Sequence, residues 1–245
     1  MTWVKICGIT NLEDALVAVE AGAGAVGFVF YEKSPRCVSV ETARTIVAKL
    51  PEDVEKVGVF VGGSEPDWVH VVLSTGLTTL QQYLMPESFG ATSQNKATGH
   101  GVFPKPPKVL LALPIERFLE AGAEVEGLAR DFEHLRDNVP DIPQIRESLP
   151  DIFLLDSGGA QRPGGSGTTF DWVRVAPIAE GMRRGGLKLV IAGGLTPENV
   201  SEAIEILKPW GVDVSTGVES RPGKKDPEKV RAFVRAVREM DKKKS

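Results

Sequence analysis

The sequence predicts an α/β chain folded as a (β/α)8 barrel, and three observations carry that expectation. Short β-branched apolar runs recur along the 245 residues. Capping residues and stretches with helical spacing separate them, as in successive βα units. Eight such runs can be traced, and eight strands alternating with helices in a chain of this length fit a closed barrel better than an open doubly wound sheet.

The first run, Val4 to Cys7, is followed by Asn11, a residue type suited to a helix N-cap, and by Leu12, Ala15, Leu16 and Val19 at helical spacing up to Gly22. Val26 to Phe30 is the second strand. Ser39 or Glu41 then opens a helix through Ala43, Ile46, Val47 and Leu50, which Pro51 ends. Val57 to Val61, Thr78 to Gln82, Val109 to Leu113, Ile152 to Leu155, Leu187 to Ala192 and Val212 to Ser215 supply the remaining strands. Helical patterns fall at Trp68 to Leu73, Phe170 to Met182, Pro197 to Leu207 and Pro227 to Met240. Two segments break the rhythm. Pro86 to Pro107 is rich in Gly, Ser, Thr, Pro and Asn and is expected to be a long loop. Pro114 to Pro150 is acidic, helix-like from Phe118 to Leu135, then interrupted by Pro140, Pro143 and Pro150. Residues 86–150 are therefore expected to form an enlarged loop and helical insertion on a single barrel domain spanning 1–245.

Composition narrows the function classes. With 42% hydrophobic and 25% charged residues the chain can bury a core, which sets aside disordered and fibrous classes. No window approaches a membrane span, and the first residues enter a strand without a secretory pattern. Two cysteines without a Cys-x-x-Cys pair and three histidines make a disulfide scaffold or a metal cluster an unexpected use of this chain, and a cytoplasmic compartment the expected one. The net charge of -4 argues against nucleic acid as the main partner. That charge is uneven: residues 114–151 hold ten acids against four bases, whereas Arg221 to Lys244 hold ten bases against four acids. The closing Lys242 to Lys244 is expected to be the solvated end of a helix.

In such a barrel the reactive groups sit at the C-terminal ends of strands. There the sequence places Cys7-Gly8 after strand one, Ser34-Pro35-Arg36 beyond strand two, Asp156 after strand six, Gly193-Gly194 after strand seven and Ser215-Thr216-Gly217 after strand eight. Singly, Cys7 reads as a core residue, Arg36 as a surface charge or an ion-pair partner and Asp156 as the cap of a turn. Together they are a base, an acid, a cation and two open turns at one end of one fold. Turns after the last two strands of a barrel commonly bind phosphate through backbone N–H groups, so Gly193, Gly194, Ser215 and Thr216 point to a small phosphorylated ligand. The glycine-rich stretch from Gly158 to Gly167 is expected to be a movable cover over the same end.

These fragments, in order, resemble the phosphoribosylanthranilate isomerases of tryptophan biosynthesis, which are TIM barrels. Lys5-Ile6-Cys7-Gly8-Ile9-Thr10 resembles the opening motif, Ser34-Pro35-Arg36 the second-loop motif, and Asp156 through Gly164-Gly165-Ser166-Gly167 to Phe170-Asp171-Trp172 the sixth-strand signature. Ala192-Gly193-Gly194-Leu195-Thr196-Pro197-Glu198-Asn199-Val200 and Asp213-Val214-Ser215-Thr216-Gly217-Val218-Glu219 resemble the seventh and eighth. The resemblance implies Cys7 as general base, Asp156 as general acid and Arg36 as binder of an anthranilate carboxylate, with Gln81 and Gly165 among the substrate-binding residues. It implies no cofactor and no metal, because the substrate's own nitrogen forms the imine that accepts electrons. A monomer or a homodimer is expected. Acid–base work near neutrality asks for the carboxyl pKa to move up and the thiol pKa to move down, so a positive group or helix end is expected beside Cys7. The chain departs from the pattern at strand four, where Gln81-Gln82-Tyr83-Leu84 stands in place of the usual Gln-Leu-His-Gly. The alternatives are another phosphate-binding barrel enzyme of tryptophan or histidine biosynthesis, and a barrel that binds a phosphoribosyl group without turnover.

Overall fold

The structure, a computed structural model, describes residues 1–61, 65–83, 107–120, 123–134, 150, 152–157 and 169–243. Eight parallel strands close into a barrel in chain order: β1 (Trp3–Cys7), β2 (Ala25–Val29), β3 (Glu55–Phe60), β4 (Thr79–Tyr83), β5 (Lys108–Pro114), β6 (Ile152–Asp156), β7 (Lys188–Ile191) and β8 (Gly211–Val214). All eight expected strands are present, each within two residues of its expected bounds. The helices are α1 (Leu12–Glu20), α2 (Val40–Val47), α3 (Glu65–Thr75), α4 (Ile115–Glu120), α5 (Val125–Glu133), α6 (Trp172–Arg184), α7 (Val200–Leu207) and α8 (Pro227–Lys243).

The strand period of two sorts side chains between two environments. Ile6, Phe28, Leu155, Ile191 and Val214 face outward into the large core shared with the helices. Their neighbours turn inward, where Leu110, Ala112, Ile152, Leu154, Val190 and Ala192 form one cluster and Cys7, Ala25, Val29, Val57 and Val59 another. Trp3 stacks on Trp210 at 5.2 Å between ring centroids, beside both inner clusters. The caps follow the sequence: Asn11 accepts from the Asp14 N–H and Ser39 from the Thr42 N–H.

The barrel closes where β1 pairs with β8, in register from Trp3 on Gly211 to Ile6 on Val214. Helix α8 fastens this seam from outside. The Asp241 carboxylate accepts from the Thr2 N–H at 2.9 Å and the Thr2 hydroxyl at 2.6 Å, and Arg238 donates to the Thr2 carbonyl at 2.6 Å.

Two expectations change. The helix foreseen from Phe118 to Leu135 is two helices, α4 and α5, and α5 is part of the barrel's outer ring. Leu128 and Phe132 are buried, Phe132 meets Phe153 of β6 edge-on at 5.5 Å, and Gly181 of α6 lets that helix press directly on the Ala129 backbone. A short antiparallel pair, β9 (Glu219–Arg221) and β10 (Lys224–Lys225), follows a single 3-10 turn at Thr216–Val218 and was not foreseen, since two or three residues carry no periodicity. The expected loop over Pro86 to Pro107 falls almost entirely outside the described residues, as does the Gly158 to Gly167 stretch. Among the described residues no helix is long and apolar enough to cross a membrane.

Candidate active site

A cleft opens at the C-terminal ends of the strands. Cys7, Arg36, Gln81, Asp156, Gly193, Gly194, Ser215 and Thr216 all line it, so the structure brings together every candidate from the sequence except Gly165, which lies outside the described residues.

Cys7 ends β1 with its side chain in the lumen and is 8% exposed. Burial pushes its thiol pKa up, and Lys5 and Lys225 pull it back only in part while Asp213 adds to the rise. The expected positive group is therefore present, but the expected downward shift is not. A thiolate loses more hydration in this lumen than two buried ammonium groups restore.

Arg36 is placed by a tight turn after β2, in which the Ser34 N–H reaches the Tyr31 carbonyl, the Cys37 N–H reaches the Ser34 carbonyl and the Arg36 N–H reaches the Ser34 hydroxyl. Gly8, at φ +76°, makes room for it: a Cβ there would stand 2.5 Å from Arg36 Cδ. The guanidinium is held side-on by Glu219, Nε to Oε1 at 2.8 Å and Nη2 to Oε2 at 2.7 Å. Two of the five guanidinium N–H groups are used this way, which leaves the outer edge of the fork for an anionic ligand. Glu219 also accepts from Lys225 Nζ at 3.0 Å. Burial by itself would raise the Glu219 carboxyl, and Arg36 and Lys225 outweigh it and hold the group below its ordinary range.

Asp156 ends β6, 3% exposed, and accepts a hydrogen bond at 2.8 Å from the Tyr83 hydroxyl of β4. Burial and the neighbouring Asp156 charge push the Tyr83 phenol well above its usual pKa, so it stays a donor. This bond answers the departure at strand four: the phenol reaches the candidate acid directly. Gln81 is 2% exposed, and its Oε1 has no partner among the described residues, a free acceptor beside the cleft.

The turns after β7 and β8 lie against each other. Gly193 and Gly194 adopt φ of +85° and +62°, open only to residues without a Cβ penalty, and a Cβ on Gly193 would overlap the Ser157 hydroxyl. The Asn199 side chain accepts from the Thr196 N–H at 2.8 Å and donates to the Gly194 carbonyl at 3.0 Å, which fixes the first turn. Gly217 packs on the Leu195 carbonyl, and the Ser215 hydroxyl is buried without a partner among the described residues. Among the described residues no group of His, Cys, Asp and Glu could hold a metal ion.

The sequence did not single out Lys5, Asp213, Glu219 or Lys225, all buried charged residues around the cleft. Charged residues inside otherwise apolar runs, as in Val4-Lys5-Ile6 and Val212-Asp213-Val214, were the available signal.

A closed parallel barrel whose strand ends present a thiol, a carboxyl, a cation and two glycine turns to one cleft defines a barrel enzyme of the acid–base type. The chain belongs to the N-(5'-phosphoribosyl)anthranilate isomerase family, whose model matches residues 4–83 and 127–236. It is 41% identical over 238 residues to N-(5'-phosphoribosyl)anthranilate isomerase of Pseudomonas fluorescens, covering 96% of this chain and 97% of that one. The crystal structure of phosphoribosyl anthranilate isomerase from Thermotoga maritima superposes with a TM-score of 0.72 at 36% identity, over 98% of this chain and 100% of that one. A phosphoribosyl anthranilate isomerase in complex with reduced 1-(o-carboxyphenylamino)-1-deoxyribulose 5-phosphate superposes with a TM-score of 0.70 at 35% identity, over the same shares.

Proposed function

We propose that this chain is an isomerase that converts N-(5-phosphoribosyl)anthranilate to 1-(o-carboxyphenylamino)-1-deoxyribulose 5-phosphate in tryptophan biosynthesis, acting in the cytoplasm as a single barrel domain, monomeric or paired with a second copy. The observation that carries this reading is the convergence of Cys7, Asp156, Arg36 and both glycine turns on one cleft.

Asp156 donates its proton to the furanose ring oxygen as the C1–O bond breaks, and the substrate nitrogen closes a C1=N iminium. The Tyr83 hydroxyl then stabilises the carboxylate left behind. The Cys7 thiolate takes the C2 proton, and the electron pair released forms C1=C2 while the nitrogen returns to neutrality. Protonation at C1 and loss of the C2 hydroxyl proton complete the ketone. Arg36 meets the anthranilate carboxylate with the edge that Glu219 leaves open. Gly193, Gly194, Ser215 and Thr216 surround the phosphate, with Gly165 and Gln81 as further contacts. The reaction needs no cofactor, since the substrate's imine is the electron sink.

Purified protein mixed with freshly made phosphoribosylanthranilate is expected to quench anthranilate-type fluorescence at a rate proportional to enzyme concentration. A protein that binds the reduced product analogue yet leaves this fluorescence unchanged is a binding barrel and not an isomerase.

A further inference from the structure

Lys5 and Asp213 form a buried ion pair that the proposed chemistry leaves unused. Lys5 is fully buried, Asp213 is 7% exposed, and Nζ lies 2.8 Å from Oδ2 across the closing seam, where the two residues are direct register partners. An ion pair at such depth seldom stabilises a fold better than an apolar pair of the same volume, and β5, β6 and β7 fill the lumen with Leu, Ile, Val and Ala. Something other than packing selects this pair.

Its position supplies the reason. Lys5 and Cys7 stand two residues apart on β1 and share the inward face. Both crowd one point on the neighbouring strand: a Cβ on Gly27 would stand 2.9 Å from Cys7 Sγ and 3.0 Å from Lys5 Cε. Gly27 thus leaves open the space in which the ammonium and the sulfur meet. The Lys5 ammonium donates to Asp213 Oδ2, and Asp213 Oδ1 is buried without a partner among the described residues. The other groups whose charge acts on the sulfur are Lys225 from β10, Arg36 from the turn after β2 and Tyr83 from β4, and none of them shares its strand.

We infer that Lys5 is the positioning residue that compensates the Cys7 thiolate, and that Asp213 is its counterweight, holding the ammonium in place while the thiol is protonated. This rests on the reading of Cys7 as the base. With the thiol neutral, Lys5 and Asp213 balance each other and the trio carries no net charge. When the proton leaves, the ammonium serves two anions at once, and the C2 proton taken from substrate restores neutrality without any movement of the strands. The two charges act on the thiol in opposite directions, Lys5 downward and Asp213 upward.

The test is the pH dependence of Cys7 alkylation by iodoacetamide, followed by intact mass in a Cys37→Ser background, since Cys37 is exposed. Lys5→Met is expected to move the midpoint up by about one pH unit or more, and Asp213→Asn to move it down. The acidic limb of kcat/KM should move with it in each active variant. Should Lys5→Met fail to fold because Asp213 is left buried and unpaired, Lys5→Met with Asp213→Asn removes both charges. Its midpoint is expected to rise by less than that of Lys5→Met, because the lysine outweighs the aspartate at the sulfur. Shifts in the same direction for Lys5→Met and Asp213→Asn, or none in any folded variant, overturn the inference. Alkylation does not require turnover, so opposite shifts in a protein without isomerase activity would leave this inference standing and remove the function proposed above.

Discussion

The inward face of β5, β6 and β7 is apolar up to the mouth of the barrel, with Leu110, Ala112, Ile152, Leu154, Val190 and Ala192 in one cluster, and turns polar on β6 only at Asp156. Across the lumen, polarity on β1 and β8 begins deeper, at Lys5 and Asp213, and continues to Cys7 and Ser215. The apolar wall gains stability from the area it removes from water, whereas the polar wall gives up some of that gain to hold charge near the thiol. Asp156 therefore stands on an apolar base with one hydrogen-bonding neighbour described, and Cys7, the proposed base, stands within a field of fixed charges. One group needs to be held, the other to be tuned.

Substitutions on the two walls should separate these roles. The largest effect is expected from the reacting groups: Asp156→Asn and Cys7→Ser each lower kcat by about 10²- to 10⁴-fold with KM changed little. A rise in KM with kcat unchanged would assign them to binding instead. Leu154→Ala, deep in the apolar wall and fully buried, should cost about 2–5 kcal/mol in unfolding free energy by urea titration and leave kcat of the folded protein close to its original value. If kcat fell in step, the walls would not be separable. Tyr83→Phe removes one hydrogen bond to a charged group and keeps the ring, so a drop in kcat of roughly 2- to 10-fold is expected. A kcat that stays unchanged would mean that Tyr83 only fills space.

The apolar wall was largely legible in the sequence, whereas the polar wall was legible at its strand ends and not in its depth. Ile152 to Leu155 and Val109 to Leu113 are short continuous apolar runs, the expected pattern of strands buried on both faces, and Asp156 stands out at the end of one of them. Cys7, Arg36 and the glycine turns were legible because they follow strands, and the order of the motifs fixed their company. Lys5 was passed over because a lysine inside a short strand ordinarily marks the solvated face. Only closure of the ring shows that this face is the lumen and that Asp213 stands 2.8 Å away, 208 residues later. The upward push on the Cys7 thiol was equally hidden, since it depends on burial that local pattern does not report. The contact of Tyr83 with Asp156 spans 73 residues and two non-adjacent strands, so no local pattern encodes it.

The β1–β8 seam also sets an order in time. β1 precedes the other barrel strands in synthesis and waits for β8, so one of its edges stays without a partner until nearly the whole barrel has been made. The Thr2 contacts to Asp241 and Arg238 form later still. Lys5 with Asp213 and Arg36 with Glu219 are both joined across that same interval. A nascent or truncated chain that stops short of β8 therefore has neither a closed ring nor a charged site. The ring waits for β8, and the charges around the cleft wait longer still, for Glu219 of β9 and Lys225 of β10.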